Sequence, residues 1–257
     1  MVLQPHGKKL KERVIVLVKA LPHAGRKHGE TVCCAGVTEQ GEWRRQFPIH
    51  FRRLQSRFSR WDIIEYEYRF PESDKRQESR RVQEDTIQVI RKIPSKERAT
   101  FLASVVVRST EIAAARGQTL ALIRPKKLQF KPKKKTPEEL SAEQVAYREA
   151  ASQGSFFDKE LAELQPCPYA FKFVYEDELG CSRTSTCDDW ETAAMFFRFE
   201  KEYGEQKTLQ MMQKTFEVDY PAKGMAFAMG VHSQYPKTWL LVGVLRLDDT
   251  PQASLDL

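Results

Sequence analysis

Residues 61–70, WDIIEYEYRF, decide how the first third of the chain is read. Ile64, Tyr66, Tyr68 and Phe70 fall on one side, while Ile63, Glu65, Glu67 and Arg69 fall on the other. This is the period of a strand with one buried face. Upstream, RVIVLVKAL (13–21) is apolar on both faces, as a strand with neighbours on each side requires. TVCCAGV (31–37) reads as a second strand, and EQG (39–41) as a tight connection into a third near 42–49. Downstream, PESDKRQESRR (71–81) is a polar hairpin loop and VQEDTIQVIRKI (82–93) a further strand. Short strands joined by turns predict a small antiparallel β-barrel of the OB-like kind.

Immediately before residue 61 the composition changes. GEWRRQFPIHFRRLQSRFSRW (41–61) interleaves Trp43, Phe47, Phe51, Phe58 and Trp61 with Arg44, Arg45, Arg52, Arg53, Arg57 and Arg60, against a single carboxylate, Glu42. Arginine supplies charge and a planar hydrogen-bonding fork, and aromatic rings offer stacking surfaces to unpaired bases. A barrel wall with solvated arginines outside it explains the same composition. Alternation places Trp43, Arg45, Phe47 and Ile49 on one face and Arg44, Gln46 and Pro48 on the other. Arg45 therefore needs a partner among apolar neighbours, and Pro48 predicts an edge strand or a strand end. Glu65 and Glu67 are candidate cross-strand partners for Arg44 or another nearby arginine. The loop at 22–29, with Arg26 and Lys27 between two glycines, adds a possible phosphate contact or an ordinary solvated turn.

The remainder reads as α+β. Residues 95–117 predict mainly helix and 119–125 a short strand. RPKKLQFKPKKKTP (124–137) is the most basic run of the chain and is expected as an extended connection rather than a core element. A helix follows, with Thr136 as N-cap and Pro137 at its first position. Tyr169, Phe171, Phe173 and Tyr175 share one face of a strand. CDDWETAAMFFRFEKEYG predicts a helix capped by Asp188 or Asp189 and ended at Gly204, with another helix and a final strand pair beyond it. The expected organisation is an OB-like barrel domain with a helix over 1–125. An α+β domain over 126–257 follows, its basic linker and helix occupying 126–151.

The chain of 257 residues carries a formal charge of +7 and is 30% charged, which suggests an anionic partner without naming one. No apolar run approaches the ~20 residues of a membrane helix. The basic N-terminus runs into RVIVLVKALP without a cleavage pattern. Five cysteines, an odd number, do not make a disulfide framework, so a reducing cytoplasm is expected. Cys167, Cys181 and Cys187, with His232, supply zinc-ligand types but lack paired C-x₂₋₄-C spacing. No metal and no cofactor are expected. Asp188, Asp189 and Glu191 suit a helix N-terminus, or a metal-dependent nuclease in which Asp189 and Glu191 do the chemistry.

Three stretches of the barrel region form a recognisable pattern: Gly29 to Gly36, Gly41 to Arg53, and Arg76 to Arg81. They resemble G-E-T-V-C-x-A-G, G-x-W-x-R-x-[YF]-P-[IV]-x-F-R and R-x-E-S-x-R in an uncharacterised group of prokaryotic proteins. The resemblance continues through TLALIRPKKL, PYAFKFVYE, DDWE and YPKTWLLVGV. Some of that group carry Cys and His before DWE, whereas GCSRTSTC here has no histidine. The resemblance implies an OB-like, nucleic-acid-binding role, and no catalytic residues are carried over from it.

The expected function is nucleic-acid binding as a non-catalytic accessory subunit of a processing or defence assembly. Arg44, Arg45, Arg52, Arg53, Arg57 and Arg60 would contact phosphates, with Arg26 and Lys27 beside them. Lys126, Lys127, Lys131, Lys133, Lys134 and Lys135 would extend the track, and Trp43 or Phe47 would stack bases. A protein-interaction surface is the other non-enzymatic alternative, because Arg and Trp are enriched there too.

Overall fold

The computed structural model describes residues 10–20, 23–25, 29–49, 58–72, 74–153, 165–232, 235 and 237–248. The strands are β1 (Leu10–Lys19), β2 (His23–Gly25), β3 (Gly29–Val37), β4 (Trp43–Ile49), β5 (Asp62–Arg69), β6 (Ser79–Lys92), β7 (Leu120–Ile123), β8 (Lys126–Lys134), β9 (Tyr169–Glu176), β10 (Ser182–Thr186), β11 (Met225–Val231) and β12 (Trp239–Arg246). The helices are α1 (Ser95–Leu102), α2 (Thr110–Ala115), α3 (Pro137–Gln153), α4 (Trp190–Tyr203), α5 (Glu205–Lys214) and α6 (Tyr220–Ala222), with a π-helical turn at Thr215–Asp219. Two compact units emerge: Met1–Ile93 with Pro137–Pro166, and Pro94–Thr136 with Cys167–Leu257. No helix among the described residues is long and apolar enough to cross a membrane.

In the first unit five strands close on themselves in the order β1-β5-β6-β4-β3, with β3 pairing back to β1. The β4–β6 pair is parallel and the others are antiparallel. This is the five-stranded OB-like barrel, and the chain as a whole is α+β. β1 can serve both neighbours because its register shifts between Val16 and Val18. Its first half pairs with β5 and its second with β3, so apolar residues are needed on both sides, and Val14 to Lys19 are all buried. At the seam β3 comes so close to β1 that a Cβ on Gly36 would lie 2.2 Å from the Ile15 carbonyl oxygen. Only glycine allows that approach. β4 has neighbours on both sides and ends just beyond Pro48. The proline thus marks a strand end rather than an edge. α3 packs against β2 and β3.

The second unit holds two three-stranded sheets, β10-β9-β8 and β12-β11-β7. The chain leaving β10 bridges to β12 at Cys187–Leu241, which joins them. β9 alternates as its sequence predicts, burying Tyr169, Phe171, Phe173 and Tyr175. Phe130 stacks on Phe171 and, with Phe173 and Phe216, forms a buried ring cluster whose centroids lie 5.2–5.5 Å apart. Each such pair contributes about 0.5–1.5 kcal/mol beyond area burial.

Phe130 also corrects the expectation for residues 124–137. That run is not a bare connection but the strand β8, and its single large ring anchors it in the core. The lysines that hide it from a hydrophobicity reading lie at a sheet edge, where Lys and Pro prevent further strand addition. Glu217 of the π-helical turn then accepts the Phe130 N–H at 2.7 Å, satisfying a donor that points away from β9. The helix expected over 95–117 is split into α1 and α2, with Ser109 Oγ accepting the Ile112 N–H at the start of α2.

Candidate nucleic-acid interface

Along β4 the two adjacent arginines take opposite directions, and β6 repeats this with Arg80 and Arg81. The inward pair meets at one carboxylate. Glu12 of β1 accepts hydrogen bonds from Arg44 Nε at 2.8 Å and the Tyr66 hydroxyl at 2.9 Å, and forms an ion pair with Arg80, whose Nε lies 3.1 Å away. Gln46, fully buried, donates to the same hydroxyl at 3.3 Å. Burial first, then the Glu12 charge, pushes the Tyr66 phenol well above its ordinary pKa, so it remains a neutral donor. Burial alone would lower the Arg44 pKa, but its bonds to Glu12 and Glu42 raise it. The Arg80 guanidinium lies over the rings of Tyr68 and Phe70, 4.9 and 4.8 Å from their centroids. These groups hold strands β1, β4, β5 and β6 together. Arg44 is thereby committed to the protein rather than to a ligand.

Facing outward, Trp43 and Arg45 are 7% and 8% exposed, and Phe58 and Trp61 are also buried. Trp43 is therefore a packed ring rather than an open stacking surface. Glu65 pairs with Arg13 at 2.8 Å and Glu67 lies 3.9 Å from Lys11. Both carboxylates are accordingly used by β1: Glu65 takes a nearby arginine across the strands, as alternation anticipates, and Glu67 a lysine instead. Phe47 is half-buried. Its register partner on β6 is Arg81, and the partner of Arg81 on β5 is Arg69. One row across three adjacent strands thus presents an aromatic ring and two exposed arginines on the outside of the barrel. Like charges directly opposite on a sheet destabilise it, and among the described residues neither arginine makes an ion pair. Arg69 and Arg81 were not among the sequence candidates. The alternation of WDIIEYEYRF had already put Arg69 on the outer face, but register with β6 was needed to reveal the pair.

The β5–β6 loop beside this row is internally stapled. Asp74 accepts Arg76 Nη2 at 2.6 Å, the Arg76 backbone N–H at 3.1 Å and the Ser79 hydroxyl at 2.7 Å. Burial would raise the Asp74 pKa, but the bonds from Arg76 and Ser79 outweigh it and hold the carboxyl at about 2. The Glu78 carbonyl accepts the Arg45 N–H at 2.8 Å. The Arg76 to Arg81 motif therefore builds a loop and leaves Arg81 at its exit.

In the second unit Lys126, Lys127, Lys131, Lys133 and Lys134 are exposed and Lys135 is half-buried. Lys127 pairs with Glu176 at 2.9 Å and Lys134 with Glu205 at 2.8 Å. Arg60 is half-buried. Arg26, Lys27, Arg52, Arg53 and Arg57 lie outside the described residues.

Asp189, 1% exposed, caps α4. Its oxygens accept the Glu191 N–H, the Thr192 hydroxyl at 3.1 Å and the Val244 N–H at 3.2 Å, so it also ties the helix to β12. Cys34, Cys167 and Cys187 are buried thiols and Cys181 is an exposed one. Burial pushes the Cys187 thiol far up, so it stays protonated. No three His, Cys, Asp or Glu side chains among the described residues gather as a metal site would require.

Residues 10–106 match a domain of unknown function, DUF8758. No curated protein matches the chain. Residues 104–256, more than half of the 257, match a second domain of unknown function, DUF8757. The two matches meet between α1 and α2, and the chain belongs to the DUF8757 family.

Proposed function

We propose that the protein binds nucleic acid through the outer face of its barrel, as a binding module rather than an enzyme. Arg69 and Arg81 hold phosphates and Phe47 offers its ring to a base. The observation that carries this reading is the Phe47–Arg81–Arg69 row. Two guanidinium groups facing each other across a strand pair repel at a cost to folding. A phosphate between them converts that repulsion into bidentate hydrogen bonding. The neighbouring ring adds about 1–3 kcal/mol for an unpaired base and little for a paired one, which favours single strands. An accessory role in a nucleic-acid-processing or defence assembly accords with a row built from two cations and a ring.

The test is anisotropy of labelled single-stranded DNA, duplex DNA and RNA across a salt series. Arg69→Gln/Arg81→Gln is expected to weaken binding and to flatten the salt slope by about 1–2. Phe47→Ala is expected to weaken single-strand binding more than duplex binding. Absence of salt-sensitive binding, or binding indifferent to the arginine pair, overturns the proposal. Stable co-purification with one protein and no nucleic acid would turn the same face into a protein interface.

A further inference from the structure

The open face of the β8-β9-β10 sheet repeats this electrostatic arrangement in the second unit. β9 buries its odd-numbered rings, so Ala170, Lys172, Val174 and Glu176 face the other way. On β8 the side opposite Phe130 carries Gln129, Lys131 and Lys133, and on β10 it carries Thr184 and Thr186. Lys131 stands directly across from Lys172, and Thr186 directly across from Lys172 on its other side. The result is a Lys131–Lys172–Thr186 row over three strands. Among the described residues neither Lys131 nor Lys172 makes an ion pair.

Edge protection explains lysines on β8. It does not explain Lys172, because β9 is the middle strand, with β8 and β10 on its two sides. A glutamate at 172 would pair with Lys131 and stabilise the sheet; the chain instead places a second cation there. None of the side chains named on this face is a ring on which a base could stack. Ammonium groups and a threonine hydroxyl are donors suited to phosphate oxygens.

We propose that this sheet face is a second nucleic-acid contact, one that holds the phosphate backbone alone and is indifferent to base identity. The inference rests on the nucleic-acid reading of the barrel and adds a surface that it lacks. Charge complementarity selects the occupant. Two ammonium groups held side by side fit a chain of closely spaced phosphates, whose binding releases condensed counterions.

The full-length protein, Lys131→Gln/Lys172→Gln, Arg69→Gln/Arg81→Gln and the combined variant are titrated with labelled oligothymidylate and oligoadenylate at several salt concentrations. The lysine variant is expected to weaken binding of both oligomers by the same factor and to flatten the salt slope by about 1–2. The combined variant should bind more weakly than either alone. Thermal unfolding of the lysine variant at low salt should occur at the same temperature or higher, since a repulsive pair is removed. Wild-type binding with an unchanged lysine variant overturns the sheet-face inference and leaves the barrel reading standing. Unequal effects on the two oligomers, or a lower unfolding temperature, also overturn it. No binding by the wild-type chain removes both.

Discussion

Replacing Asp189 by alanine separates a cap from a catalytic carboxylate. The side chain accepts two backbone N–H groups and one hydroxyl: Glu191 and Thr192 at the start of α4, and Val244 in β12. Loss of an N-cap costs about 0.5–2 kcal/mol. The Val244 N–H lies in a buried part of β12, and leaving it without this acceptor costs a further ~1–3 kcal/mol. Together Asp189→Ala should destabilise the second unit by about 2–4 kcal/mol. With a urea dependence of roughly 2 kcal/mol/M, its unfolding midpoint should fall by about 1–2 M. Asp189→Asn keeps an acceptor oxygen and should lose less than half of this. Far-UV circular dichroism across a urea series measures both. An alanine variant with an unshifted midpoint would refute the capping account. If that variant also abolished a metal-dependent cleavage shown by the wild type, Asp189 would have to be read as a nuclease residue.

Three other perturbations test the barrel. Glu12→Ala removes the carboxylate shared by Arg44 and Arg80, whose side chains are 15% and 6% exposed. Stranding such charges should cost about 3–5 kcal/mol, read from the urea midpoint of the first unit, whereas Glu65→Ala on the solvent side should cost under ~1 kcal/mol. Gly36→Ala drives a methyl group into the Ile15 carbonyl. It should destabilise by roughly 3 kcal/mol or more, since backbone rather than a side chain must yield, and a soluble variant of wild-type stability would sink the seam argument. The third concerns pH. Asp74, held at about 2 in the folded chain against ~3.9 for a free aspartate, stabilises the fold above about pH 4. That contribution fades as pH falls towards 2. Allowing for its partial exposure it amounts to about 1–2 kcal/mol, and Asp74→Asn should flatten this part of an acid-unfolding curve.

Much of the fold was legible because strand alternation is a local property. WDIIEYEYRF and YAFKFVYE declare their buried faces without any knowledge of their neighbours, and both faces hold in the structure, with Phe70 emerging at the strand end at 40% exposure. RVIVLVKAL declares a strand with two neighbours for the same reason. β8 was not legible as a strand because Phe130 is its only fully buried ring. Five exposed lysines outweigh one phenylalanine in any composition window, and the partner that makes the ring count, Phe171, is 41 residues away. Likewise Ser109 interrupts 95–117 by capping α2, a role it can take only once the chain has turned.

The site was less legible than the fold because charge is easily counted but its direction depends on pairing. The doublets Arg44–Arg45 and Arg80–Arg81 are chemically identical in sequence, and alternation requires one member of each to face inward. Which member, and what it meets, depends on Glu12, which lies 32 residues before the first doublet and 68 before the second. Both inward arginines gather on Glu12, and Arg44 also reaches Glu42, so their charges are engaged within the protein. The outward members divide as well. Arg45 is buried while Arg81 is exposed opposite Arg69, a pairing set by the register of β5 on β6. Lys131 and Lys172 follow the same logic, cations 41 residues apart brought face to face by one register. In each case folding spends electrostatic stability on a like-charge pair that a single substitution would relieve, and an anion that satisfies both cations recovers that energy on binding.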